Sequence, residues 1–312
     1  MHSRPRARHE LIRPAVFRPP RLTGVATGLM LTTVTAAAAA AAGTISAQAE
    51  PEFRTFLGWV TAGGLASAAA LLFSWTFCVM TLSYRIQPGW LTITWGLRRI
   101  VMSLDDVESI LPGRTVDEVK VSGLNWWGCH IGSADIRRVG FTLVYATTLE
   151  PSQLLFLRTT DESYALSITQ HAAFADEVES HRLMDAGHRQ GGRVTASGLA
   201  VLPLWRDRSA MTALLLGAVV AILVVGYVFS QYPGLPPIVE FNFPGVTDVV
   251  RIGNKQELLR IAYVALTIFC VNGTAGAVIH ARDRAAGLWL LASATLLEVV
   301  LLAAAVFALG RA

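Results

Sequence analysis

The chain has 312 residues, of which 53% are hydrophobic and only 15% charged, and its mean hydropathy is +0.48. That balance excludes a soluble globular protein of ordinary make-up. The net charge of +4 and the pI of 9.2 come from dispersed arginines rather than a basic stripe, so nucleic acid is not an expected partner.

The first segment, 1–21, is a basic tail carrying Arg4, Arg6, Arg8, Arg13, Arg18 and Arg21 against Glu10 alone. Arginines flanking a membrane span are retained on the cytoplasmic side. Near an anionic inner leaflet each contributes about 1 kcal/mol of attraction, so these six are the candidate lipid-facing basic residues. Five apolar segments follow along the chain: Leu22 to Ala47, Phe56 to Met80, Met211 to Phe229, Leu258 to His280 and Ala286 to Leu309. A bilayer core roughly 30 Å thick needs about 20 helical residues, because hydrocarbon satisfies no backbone hydrogen bond. Each segment is therefore read as a transmembrane helix. The first also fits a signal peptide, since Ala47-Gln48-Ala49 makes a small-residue cleavage pattern after an apolar run.

The flanking charges give one orientation. The tail lies inside, the turn with Glu50, Glu52 and Arg54 outside, and the hairpin 22–82 returns the chain to the cytoplasm. Arg98 and Arg99, then Arg182, Arg189, Arg193, Arg206 and Arg208, and finally Arg282 and Arg284 all fall on the same inner side. The expected place is the cell membrane, as a multi-pass protein.

Between the second and third spans, residues 83–184 form a module of different character. Leu91, Ile93 and Trp95 alternate with Thr92 and Thr94 after a Pro88-Gly89 turn; Phe141, Leu143 and Tyr145 alternate; Leu154 to Leu157 is a short apolar run; and Tyr164, Leu166 and Ile168 alternate with small residues. Period-two patterns separated by turns predict strands, and several short ones predict a small sandwich or barrel. Residues 170–183 then predict a helix with Phe174 and Val178 on its buried side. The glycine-containing stretch 185–208 reads as a linker, and 209–310 as a three-helix transmembrane region with an extracytoplasmic loop at 231–257.

The opening Leu82-Ser-Tyr-Arg-Ile-Gln-Pro-Gly-Trp-Leu-Thr-Ile-Thr-Trp-Gly, followed by Arg99-Ile-Val-Met-Ser-Leu-Asp-Asp-Val-Glu-Ser-Ile, resembles bacterial pleckstrin-homology (PH)-like domains. Phe141 to Thr147 and Tyr164-Ala-Leu-Ser-Ile resemble later parts of a membrane-anchored branch of that family. The resemblance implies about seven strands closed into a β-barrel by one C-terminal helix. Trp205-Arg-Asp-Arg and Tyr232-Pro-Gly-Leu-Pro-Pro are similar to that same branch, and Phe241-Asn-Phe-Pro-Gly-Val-Thr-Asp with Gly253-Asn-Lys255 resembles a short extracytoplasmic motif of a bacterial membrane domain of unknown function, also met in toxin-immunity membrane proteins. Glu240 stands where that motif has His, so no role of the His carries over. The expected fold class is an α+β membrane protein with five transmembrane helices and a cytoplasmic PH-like barrel.

Candidate sites are few. Arg85, Arg98 and Arg99 are too sparse around the first strand turn to predict a phosphoinositide site. Trp126 and Trp127 are candidate partner-binding anchors, the alternatives being packing on the strands or a place at the membrane interface. Trp59, Trp205 and Trp289 read as interfacial anchors. Glu298 is the ionisable residue deep inside a span, and an intramembrane carboxyl is costly unless neutral or paired. With Asn272 it is the candidate intramembrane polar site; the bland alternative is a protonated Glu298 bonded to Asn272 or Ser293. Cys129-His130 lacks a second ligand pair for a metal, and no phosphate loop, nucleophile elbow or zinc-protease helix occurs. The expectation is thus no metal, no cofactor and no enzymatic activity. The expected function is protein docking or oligomeric assembly through the PH-like domain at the inner membrane face, with membrane lipids and a protein partner or second copy as ligands. The alternative is a transmembrane bundle that recognises an external ligand or toxin, or assists transport.

Overall fold

In the computed structural model, residues 14–116, 119–160, 162–184, 193–196, 203–242 and 250–309 are described. The arginines Arg4, Arg6, Arg8 and Arg13, most of the linker and the loop tip 243–249 lie outside the described residues. The chain divides by its contacts into two compact units, one of residues 1–35 with 68–198 and one of 36–67 with 199–312.

Among the described residues, five helices are long and apolar enough to cross a membrane: α1 (Leu22–Gln48), α2 (Phe53–Thr81), α4 (Arg208–Gln231), α5 (Leu259–His280) and α6 (Arg284–Leu309). They fall on the five predicted segments. Hydroxyls inside them are satisfied locally, as where Thr32 donates to the Gly28 carbonyl and Thr76 to that of Leu72. Small residues allow close approach between helices: a Cβ on Gly28 would lie 2.2 Å from Thr76 Oγ1. In the other unit, one on Gly287 would lie 2.6 Å from the His280 Cα.

The first unit holds the β-rich module. Nine strands run within 82–182: β2 (Ser83–Gln87), β3 (Trp90–Trp95), β4 (Arg98–Ser103), β5 (Val107–Pro112), β6 (Ser122–Trp126), β7 (Cys129–Ile136), β8 (Gly140–Ala146), β9 (Leu154–Thr159) and β10 (Ser163–Ser167). Helix α3 (His171–Met184) follows, one residue later than the predicted bounds. Two short strands from outside the module join it, β1 (Ala15–Phe17) and β11 (Arg193–Ala196).

No closed barrel is found among the described residues, which corrects the sequence expectation. The first sheet has the order β1-β2-β3-β4-β11 and the second β5-β9-β10-β8-β7-β6. The break lies after β4. There Ser103 Oγ accepts from the Asp105 N–H and caps a single 3-10 turn, Leu104–Asp106. The turn sends β5 to pair with β9, while β11 takes the free edge of β4. On the opposite side β1 pairs with β2, so the outer sides of β2 and β4 are both paired by short strands from outside the module.

The main core lies between the sheets. Leu91 and Ile93 of β3, Leu155 and Leu157 of β9, and Tyr164, Leu166 and Ile168 meet Phe174 and Val178 of α3 there, as the alternation predicts. The run Leu154–Leu157 is buried throughout because it faces two cores: Leu154 and Phe156 enter a second cluster on the outer face of the sheet, with Val144, Ala146 and Ala165. Val116, Val119 and Val121 from the β5–β6 connection cover that cluster. Of the alternating residues Phe141, Leu143 and Tyr145, the last two are half-buried, whereas Phe141 is exposed at the outer end of β8 beside the β7–β8 turn.

Tyr84 connects the two sheets. From β2 its hydroxyl donates to the Tyr145 carbonyl of β8 at 2.7 Å and accepts the Ser167 N–H of β10 at 3.1 Å. Burial raises the Tyr84 phenol above its ordinary pKa, with the Ser167 N–H opposing the shift. Ser167 Oγ in turn accepts from the Thr147 and Thr148 N–H groups and donates to the Thr148 carbonyl. Tyr84→Phe keeps the ring in the core but leaves a buried N–H and a buried C=O short of a partner. It should destabilise the first unit by about 1–3 kcal/mol, read as a lower thermal midpoint of the full chain in detergent.

Candidate functional site

At one end of the module, turns and helix ends interlock. β6 and β7 are joined by the turn Trp127-Gly128, with Gly128 at φ 78°, a conformation glycine adopts without strain. Gly24, in the first turn of α1, abuts it: a Cβ on Gly24 would fall 2.2 Å from the Gly128 oxygen. Trp126 meets Trp75 of α2 edge to face at 5.7 Å. The β3–β4 turn is held beside them, because the Gly96 N–H donates to Thr81 Oγ1 at 2.8 Å and Gly96 leaves no room for a side chain beside Cys78. The Arg21 guanidinium donates to the Met80 carbonyl. Val79, Cys129 and Ile131, with Val25, Trp95, Leu124, Trp126 and Tyr145, form a small core at this end.

The two candidate tryptophans therefore part ways. Trp126 is half-buried against α2, whereas Trp127 is 80% exposed at the tip of the turn. Among the candidate basic residues, Arg18 is exposed and Arg21 half-buried. Arg85 does not converge with Arg98 and Arg99: it is paired with Thr92 in mid-strand, while Arg98 stacks 5.7 Å over Trp95 at the β3–β4 turn. Cys129 and His130 point to opposite faces of β7. The Cys129 thiol is pushed up to about 12 by burial, partly offset by the Trp126 indole N–H. His130 is held lower than usual by desolvation, and its Nδ1 lies 2.6 Å from Asn125 Oδ1.

In the second unit, Glu298 of α6 is fully buried and neither carboxyl oxygen has a hydrogen-bond partner. The sequence alternative, a bond to Asn272 or Ser293, is not formed; Ser293 Oγ donates to the Leu290 carbonyl instead. Glu298 borders a cavity of about 10 Å³, shared with Gly217 of α4, Gly273 of α5, and Thr295. That is close to the room one water occupies. Asn272, one position from Gly273, does not line it.

Sequence reading missed a polar cluster at the helix ends of this unit. Asp207 caps α4, accepting the Ser209 N–H at 3.0 Å, and its other oxygen accepts from Arg284 Nε at 2.6 Å and lies 3.1 Å from His280 Nε2. One carboxylate thus joins the start of α4, the end of α5 and the start of α6. The visible signal was an aspartate immediately before an apolar span; its partners lie 73 and 77 residues away.

Comparison with known proteins bears on the β-rich module. Residues 82–182 match the family model of the bacterial PH domain. No curated protein and no solved structure matches the chain. The PH domain thus begins directly after α2 and ends within α3, and the membrane-domain resemblance read in the C-terminal region lies outside the match.

The Asp207 carboxyl is held far below the usual carboxylate range, chiefly by the Arg284 hydrogen bond and further by His280 and the Ser209 N–H, against desolvation. A depressed carboxylate contributes stability that is fully present above the unfolded value, about 3.9, and is lost as pH falls through the folded one. In detergent, the wild-type thermal midpoint should fall steeply in strong acid. Asp207→Asn should start lower at neutral pH and respond less below about pH 4.

Proposed function

We propose that this chain is a multi-pass cell-membrane protein that displays its PH domain at the inner face as a non-catalytic module for protein docking or oligomeric assembly. The cytoplasmic orientation follows from the arginine-rich flanks. The observation that supports docking is the unequal treatment of the sheet edges. The outer sides of β2 and β4 are paired by β1 and β11, short strands from outside the module, whereas β5 and β6, both strands of the module, end the second sheet with one side each unpaired among the described residues. An extended segment of a partner or second copy can add to such a strand through main-chain hydrogen bonds.

The register identifies the groups that would make those bonds. Trp126 and Cys129 close a two-residue hairpin as its hydrogen-bonded pair, so Asn125, opposite His130, directs its N–H to the free side. A photo-crosslinking residue placed at Ser122 of the full chain in native membranes should capture one partner or a second copy. Asn125→Pro, which removes the outward N–H, should abolish that adduct. An adduct unaffected by the proline would place docking elsewhere and defeat this reading.

Glu298 supports a second reading, in which the α4–α6 bundle recognises a ligand or assists transport. A buried carboxyl without a partner is destabilising and is retained where it serves a function. Glu298→Leu should raise the thermal midpoint, removing a burden of about 1–3 kcal/mol. Loss of cellular function in that more stable variant would favour the bundle; unchanged function would make the carboxyl dispensable.

A further inference from the structure

We propose that the end of the PH domain formed by the β3–β4 and β6–β7 turns is a contact face for anionic lipid, with Trp127 and Leu97 as its apolar tips and Arg21, Arg98 and Arg99 as its charges. The inference rests on the reading of α1 and α2 as membrane spans and goes beyond the docking role, which uses the free side of β6.

The depth of this face is set by the helices. Trp75 lies six residues before the end of α2 at Thr81, so its Cα is roughly 9 Å below that end at 1.5 Å per residue. Helical side chains lean toward the N-terminus, here further into the membrane. Trp126 reaches Trp75, and Gly128 rests on Gly24 in the opening turn of α1. The β6–β7 turn therefore hangs beside the helix ends rather than above them. Trp127, exposed between those two contacts, stands at the level where lipid headgroups begin, the zone tryptophan prefers.

The rest of the face agrees in chemistry. Leu97, 47% exposed, occupies the β3–β4 turn that Thr81 and Cys78 hold against α2. Arg98 and Arg99 follow it at exposed positions, and Arg21 is fixed to the Met80 carbonyl. The carboxylate of Glu150, in the β8–β9 loop, is engaged by Ser152 and Gln153. Apolar tips ringed by arginines suit a surface of anionic headgroups over hydrocarbon. The β2–β3 turn, Pro88-Gly89, is at the opposite end, where the Gly89 N–H donates to the His181 carbonyl.

The test uses the full chain reconstituted in vesicles of phosphatidylcholine with phosphatidylglycerol, either lipid being brominated on its upper acyl chain. Subtracting the emission of Trp127→Phe isolates Trp127. Its emission should be quenched by brominated lipid and protected from aqueous iodide. Brominated phosphatidylglycerol should quench at least twofold more than brominated phosphatidylcholine, and Arg98→Gln with Arg99→Gln should remove the difference. Quenching by iodide alone, or by neither agent, would overturn the lipid face; equal quenching by both lipids would overturn its anionic character. The Trp59→Phe difference is the control for α2. If Trp59 is quenched by brominated lipid and Trp127 is not, the proposal alone fails, whereas failure of both removes the span reading beneath it.

Discussion

The Tyr84 hydroxyl is the group on which the soluble half of this protein turns. It lies three residues beyond the end of α2, so the chain leaves its second apolar helix and almost at once bridges β8 and β10. Two sheets that share no strand pairing need something across the gap besides apolar contact, which fixes no register. A buried phenol that both donates and accepts supplies it, and Ser167 extends the same network into the β8–β9 loop. Because such groups are costly when half-satisfied, the bridge ties correct seating of the sheets to the end of an apolar helix.

The same economy of connection recurs at the module's end. Gly24, Gly96 and Gly128 remove side chains where helix and turn backbones meet. The PH domain is held by backbone packing rather than suspended on a flexible tether, at least where α1 begins and α2 ends. The turns so held present Trp127, Leu97 and arginines, the residues on which the proposed lipid face rests. The proposed docking strand, β6, uses main-chain groups of its free side, so the two proposed surfaces do not share groups.

In the second unit, two carboxyl groups, Asp207 and Glu298, are met in opposite ways. Asp207 spends its oxygens on a backbone N–H, an arginine and a histidine from three helices. Glu298 faces an apolar cavity with none. The first arrangement accounts for how the helix ends are joined. The second has no structural purpose visible in its surroundings, which is why it supports a functional reading of the bundle.

Sequence alone determined the five apolar helices, since length and hydropathy are local quantities, and it located the PH domain through period-two strands and the Phe174–Val178 helix face. It also singled out Glu298 and the tryptophan pair, because residue types so unlike their neighbours stand out along a chain. Tertiary structure decided what local pattern cannot encode. Whether strands close into a barrel depended on the turn after β4 and on two short segments far away in sequence that claim the sheet edges. The exposure of Phe141, the separation of Trp126 from Trp127, the isolation of Glu298 from Asn272 and the partners of Asp207 are likewise matters of position. Each depends on contacts between residues distant in the chain, and periodicity carries no information about those.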